Sequence, residues 1–204
     1  NQLQMGIVSG ERVFKIIDTK SYIRKEGQID ASTIQGNINF SNVRFSYIQD
    51  EEVLKGVSLK VNKGQTVAIV GATGAGKSTI INLINRFYEI DSGTISIDSI
   101  SVEDYELSSL RNQIAIVLQD VFLFSDSILN NITLKNPLIT ESQVIDAAKK
   151  IGIHNFIMTL PGGYHYNVKE RGVMLSSGQR QLIAFLRAYV SSPRILILDE
   201  ATSS

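Results

Sequence analysis

An α/β fold with a mixed sheet is what the sequence predicts, from three observations. Continuous apolar runs of strand length recur at residues 66–70, 114–118 and 195–198, the pattern of strands buried on both faces. Elsewhere the apolar spacing changes to three and four: Ile80, Leu83, Ile84 and Phe87 form one helical stripe, and Leu182, Ile183, Leu186, Tyr189 and Val190 form another. The first of these strands runs into the first of these helices through a glycine-rich loop that begins at Gly71.

In chain order, residues 1–35 read as a lead-in, an amphipathic segment over 8–17 followed by a polar, irregular stretch through Gln35. The organised domain is expected to begin near Gly36 and to run to residue 204. Ile38 and Phe40, then Val43, Phe45 and Tyr47, alternate with polar residues in two registers offset by one, as a bulged, half-buried strand would. Residues 53–61 continue in β style, and the turn Asn62-Lys63-Gly64 leads into 66–70, predicted to be a central strand. Ser92-Gly93 opens a strand over 94–97, a short helix covers 107–112, and 114–118 is again a buried strand. Helical signals fill 127–160, including a capping box at Thr140-Glu141-Ser142-Gln143 ahead of Val144, Ala147, Ala148 and Ile151. Pro161-Gly162-Gly163 breaks that region, a second strong helix spans 179–190, and Ser191-Ser192-Pro193 returns the chain to the last strand.

Composition removes several function classes. Hydrophobic residues make up 43% of the 204, enough for a packed core, so disorder is not the expectation. Twenty basic residues balance twenty acidic ones, which leaves no broad positive field to attract nucleic acid. With no cysteine, disulfide scaffolds, thiolate-bound zinc and thiol catalysis are all excluded. His154 and His165 lack the spacing of a helical metal-binding pair and read as structural. No apolar run approaches the roughly 20 residues of a membrane-spanning helix. The chain is therefore expected to be soluble, and residues 1–8, with no basic region followed by an apolar run, show no secretory signal.

Three stretches point to chemistry. Gly71-Ala72-Thr73-Gly74-Ala75-Gly76-Lys77-Ser78-Thr79 satisfies G-x-x-x-x-G-K-[ST] between a predicted strand and a predicted helix. Backbone N–H groups can surround a triphosphate only where no Cβ obstructs the approach, hence the glycines, and the helix N-terminus adds partial positive charge. Lys77 would reach the β- and γ-phosphates, and the Ser78 hydroxyl would ligate Mg²⁺. The loop therefore predicts a P-loop NTPase core that takes ATP and Mg²⁺. Such an ATPase needs a second strand end bearing acids, and Asp199-Glu200 supplies one: Asp199 for the metal, and Glu200 to polarise the attacking water. Taken alone, that pair reads equally as a solvated strand end. The third stretch, Leu175-Ser176-Ser177-Gly178-Gln179, opens a helix, where Ser176 and the uncovered N–H of Gly178 suit an anion; taken alone, Ser176 or Ser177 is simply the N-cap.

In identity and order, these motifs resemble the nucleotide-binding domain of an ATP-binding cassette (ABC) transporter of the exporter type, similar to multidrug or lipid exporters, from about residue 36 to the C-terminus. The Walker A loop is 71–79, the Q-loop residue Gln119, the signature 175–179 and the Walker B strand 195–200. Ser177 replaces the family's usual glycine. The resemblance implies a P-loop core with a mixed sheet, an N-terminal antiparallel β subdomain and an inserted α-helical signature subdomain over about 120–185. It implies that Tyr47 stacks on adenine and that Gly71, Thr73, Gly74, Ala75, Gly76, Lys77, Ser78 and Thr79 bind the nucleotide. Ser176, Gly178 and Gln179 would contact it from a second domain, Gln119 and Asp199 would join Ser78 at the metal, and Glu200, Gln119 and Lys77 would be catalytic.

Further implications concern partners. In this family two such domains sandwich ATP head to tail, so the expected partner is a second nucleotide-binding domain, identical or related. Residues 11–18 resemble the segment that joins an exporter's last membrane helix to its ATPase domain, and 167–172 resemble the loop that contacts coupling helices. A transmembrane domain in the same natural chain is thus implied, with this domain at the cytoplasmic face of a cell membrane and no nucleic acid as partner. After Ser204 the family continues with a D-loop, a further strand and a switch histidine, so the fold is expected to be truncated at the C-terminus and the 204-residue chain to hydrolyse ATP weakly or not at all. A chromosome-maintenance or DNA-repair ATPase is the alternative from another class, but it would insert long coiled coils between Gln119 and Ser176, where this sequence has room only for a compact helical unit. A regulatory module that binds ATP without cleaving it is disfavoured by Glu200.

Overall fold

A computed structural model describes residues 2–19 and 27–199. The lead-in forms α1 (Gln2–Ile17), whose apolar Ile7, Val8, Val13, Phe14 and Ile17 are exposed. The chain then builds β1 (Ile38–Ser46) and β2 (Glu52–Val61), which pair antiparallel. The register slips between Phe40 and Val43, where the alternation in the sequence changes phase. Asn42, at φ 48, takes the kink. β3 (Ser92–Ile97) and β4 (Ile100–Ser101) complete a sheet of order β2-β1-β3-β4, antiparallel throughout.

Residues 66–70 depart from the expectation of a central strand. They form no strand, and Val67 and Val70 are 50% and 87% exposed. A strand exists only when a neighbour takes its backbone N–H and C=O groups, and among the described residues none lies alongside. The apolar run is strand-like in composition without being a strand here.

After the loop, α2 (Lys77–Ile84) buries Ile80, Leu83 and Ile84 as the stripe predicts, together with Thr79. Phe87 falls outside it, because Arg86 turns at φ 50 and ends the helix. The cause is a fully buried guanidinium: Arg86 donates to the carbonyls of Val102, Glu103 and Tyr105. From α3 (Leu107–Asn112), Arg111 donates to the carbonyls of Asn85 and Arg86 and lies over the Phe87 ring at 5.1 Å. Buried cations of this kind persist only where several acceptors compensate desolvation.

β5 (Ile114–Val117) and β6 (Ile195–Leu198) form a parallel pair, with Ile114 opposite Ile195 and Val117 opposite Leu198. Between them the chain folds into α4 (Ile128–Thr133), α5 (Glu141–Ile151), α6 (His154–Thr159) and α7 (Ser177–Val190). Two main cores result. One joins the antiparallel sheet, α2 and the starts of β5 and β6, and it already includes Ala31 and Ile34. The other holds Leu123, Ile132, Val144, Ile157, Leu175 and Ile183 among the helices. Within the helical core, buried Asn131 accepts from the Phe124 N–H and donates to the carbonyls of Phe124 and Ser127, fixing the loop that enters it. Val117 packs with Ala184 and Ala188, so α7 rests on β5 and couples the two units. His154 pairs with the Tyr164 hydroxyl at 2.9 Å, and His165 lies 3.3 Å from Glu141.

Candidate functional site

The loop before α2 owes its shape to glycine. Gly74 and Gly76 adopt φ +83 and +88, a region that costs a residue with a Cβ roughly 1–2 kcal/mol. A Cβ on Gly76 would also meet Leu54 Cδ2 at 2.7 Å. Gly76 is the N-cap of α2 and offers no side chain, so the first N–H groups of the helix stay open toward an incoming anion. One loop bond, from the Ala75 N–H to the Ala72 carbonyl at 3.1 Å, tightens the turn. Lys77 folds back and donates to the carbonyls of Gly71 and Ala72 at 2.8 and 3.1 Å. Its ammonium therefore stands over the loop that a phosphate chain would occupy, held by neutral acceptors that an anion would outcompete. Thr73, Gly74, Ala75 and Ser78 are exposed, whereas Thr79 is buried.

Tyr47 lies beyond the end of β1, far from this loop in sequence, and the fold brings it to α2. Its hydroxyl donates to Thr79 Oγ1 at 3.2 Å and accepts from Asn82 Nδ2 at 3.2 Å. Tyr47 is 46% exposed and stands against the first two turns of α2.

Gln119 and Asp199 come together through the parallel pair. Gln119 follows the carboxyl end of β5, and Asp199 follows β6, its N–H donating to the Val117 carbonyl at 2.9 Å. Both are at least partly exposed at neighbouring strand tips. Gln119 also lines a cleft with Asp120, Phe122, Ser177 and Arg180, so the loop after β5 adjoins the start of α7. Ser176 is the N-cap of α7 in a full capping box: its Oγ accepts from the Gln179 N–H at 3.2 Å, and Gln179 Oε1 accepts from the Ser176 N–H at 2.9 Å. The choice left open between Ser176 and Ser177 thus falls to Ser176. Gly178 lies in the first turn with free space around it. Lys77 and Ser176 are rooted in different cores, the first through α2 and the second through Leu175 and Ile183. Glu200 lies outside the described residues.

Three of these side chains carry oxygen donors. Ser78, Gln119 and Asp199 offer hydroxyl, amide and carboxylate oxygens, donors of the kind a hard cation takes. Two contacts were not legible in the sequence. Arg180 donates to the Leu175 carbonyl at 2.7 Å and fixes the entry to α7. Tyr88 sets its ring perpendicular to that of Tyr47, with centroids 5.0 Å apart. Neither residue belongs to a periodic stripe, so no local signal singles it out.

A family model described as ABC transporter matches residues 54–203. A putative multidrug export ATP-binding/permease protein of Bacillus subtilis, YgaD, is 49% identical over 99% of the chain, and an uncharacterized ABC transporter ATP-binding protein of the same organism, YknV, is 47% identical over 100%. The chain spans about a third of these relatives, 35% and 34% of their lengths. Among solved structures, that of a bacterial Atm1-family ABC exporter with ATP bound superposes with a TM-score of 0.87 at 38% identity, covering 98% of this chain and 35% of that one. Across the described residues, no helix is long and apolar enough to cross a membrane.

Proposed function

This chain belongs to the ABC transporter family, and from that premise we propose that it binds and hydrolyses ATP to drive export across a membrane. The observation that supports this best is the loop at the start of α2: two glycines at positive φ leave the helix N-terminus uncapped, and Lys77 is turned onto the loop carbonyls. A triphosphate would replace those carbonyls as the partner of Lys77 and accept from the open N–H groups. Tyr47 would stack on the adenine, an interaction worth about 1–3 kcal/mol where bases stack on aromatic residues. Ser78, Gln119 and Asp199 would hold Mg²⁺, which when bound neutralises charge between the β- and γ-phosphates. Glu200, directly after Asp199 in the sequence, would polarise the attacking water.

Residues Ser176, Gly178 and Gln179, at the opening of α7, are assigned to the nucleotide held by a second domain, as the resemblance to the family implies. The partner would be another copy or a related domain, arranged head to tail. A transmembrane domain of the same natural chain would receive the movement at a cytoplasmic membrane face. Supporting that assignment, the similar Bacillus subtilis protein YgaD is described as an ATP-binding/permease protein. The domain limits proposed are 1–35 as lead-in and 36–204 as the nucleotide-binding domain, with its helical part over about 120–185.

Two substitutions in the full-length protein test this reading. Glu200→Gln is expected to retain ATP binding and lose turnover by about 10²- to 10⁴-fold, the usual contribution of a general base. Lys77→Ala is expected to weaken binding itself. Unchanged ATPase rates in both variants would refute the assignment.

A further inference from the structure

Tyr47 is restrained from more sides than a simple stacking platform requires. Its hydroxyl is fixed at α2 by Thr79 and Asn82. Buried Phe45 meets the ring edge to face at 4.8 Å, and Tyr88 meets it at 5.0 Å and 87°. Phe45 and Tyr88 are themselves 5.8 Å apart, so the three rings form a closed cluster. Tyr88 remains 42% exposed, so burial of its own surface does not account for its place there.

What holds Tyr88 is the turn after α2. Arg86, 2% exposed, is bonded to three backbone carbonyls, and Arg111 clamps the Asn85 and Arg86 carbonyls while covering Phe87. The residue that follows this double-arginine anchor is presented at one angle, with its ring against Tyr47. Perpendicular aromatic pairs prefer such geometry because the positive edge of one ring meets the negative face of the other. An aromatic residue whose stacking depends on ring direction is thereby braced from the phosphate side by α2 and from the flank by this turn.

We infer that Tyr88 is a positioning residue for base recognition: it orients the Tyr47 ring to receive the purine, without itself holding the phosphates. The inference rests on the ATP-binding reading above and extends it to a residue outside the motifs. Its chemical consequence is selective. Loss of the Tyr88 ring should weaken the binding of a ligand that carries a base and leave a base-free triphosphate unaffected.

Titration calorimetry on the full-length protein, with ATP and with inorganic triphosphate as separate probes, tests this. Tyr88→Leu, which keeps apolar bulk at a partly exposed site, is expected to weaken ATP binding about two- to tenfold, from the usual strength of a perpendicular ring pair. Triphosphate affinity is expected to stay as in the native protein, and Tyr88→Phe, which retains the ring, is expected to restore ATP affinity. Tyr47→Ala serves as the control for the underlying reading. If it weakens ATP binding while Tyr88→Leu does not, the positioning role is overturned and the nucleotide site stands. If Tyr47→Ala leaves ATP binding unchanged, the base-stacking reading fails and the role of Tyr88 with it. Equal losses for ATP and triphosphate in Tyr88→Leu also overturn the inference, since they mark a general disturbance of the loop.

Discussion

Gly76 joins two demands at one residue: a left-handed backbone at φ +88, and a gap of 2.7 Å where a Cβ would face Leu54. Gly76→Ala is expected to lower stability by about 1–2 kcal/mol from backbone strain alone and to weaken ATP binding, as chemical unfolding and titration would show. A second residue, Asp126, bears on pH. Hydrogen bonds from Asn130, then Lys135 and the Ser127 N–H, lower its pKa from 3.8 to about 2. A depressed carboxylate stabilises the fold above its unfolded pKa, and that contribution is lost as pH falls through the folded value. Asp126→Asn should therefore be less stable than the native protein at neutral pH, with the difference shrinking between pH 4 and 2 in denaturant titrations. Equal stabilities at pH 7 would contradict the role of the bonds.

At the scale of elements, α5 and α7 open with the same device. Thr140 and Gln143 close one capping box, and Ser176 and Gln179 close the other. Each satisfies two backbone donors that would otherwise lack a partner. Thr140→Ala and Ser176→Ala are each expected to cost about 1 kcal/mol in stability. If the N-terminus of α7 also faces nucleotide, only Ser176→Ala will reduce ATPase activity by more than its stability loss explains. Matched losses of activity in the two variants would reduce Ser176 to a cap. The first box is visible in the sequence because a cap and its partner lie three residues apart, whereas adjacent serines at 176 and 177 left the second to be settled by the structure. Residues 66–70 show the opposite case, since their strand-like composition says nothing of whether a neighbour is present to pair with them.

For the molecule as a whole, the separation of the two cores matters most. The phosphate loop belongs to the core of the antiparallel sheet, and the opening of α7 belongs to the helical core, with Val117, Ala184 and Ala188 packing at their junction. If a complete site needs the loop of one copy and the α7 opening of another, the ATPase rate per chain should rise with protein concentration before reaching a plateau. Mixing Lys77→Ala with Ser176→Ala should then recover activity that neither has alone, because one of the two sites in a mixed pair is intact. A rate per chain independent of concentration across the range in which monomers are detected would rule out the head-to-tail arrangement.

The sequence by itself determined whatever depends on residues a few positions apart: the glycine turn before Lys77, the capping box at Thr140, the phase change at Phe40 and Val43, and the existence of the helices through Leu83 and Ile183, though Phe87, Leu182 and Tyr189 of the expected stripes are exposed. It also determined, through the order of its motifs, which family the chain joins. Only the tertiary structure decided that the helix after the loop stops at Ile84, because the acceptors that draw in Arg86 come from residues 102–105. The same holds for Tyr47 against Thr79, for Gln119 beside the tip of β6, and for Tyr88 against Tyr47. Each of these is a meeting of segments distant in the chain, and side-chain spacing along one segment contains no record of what packs against it.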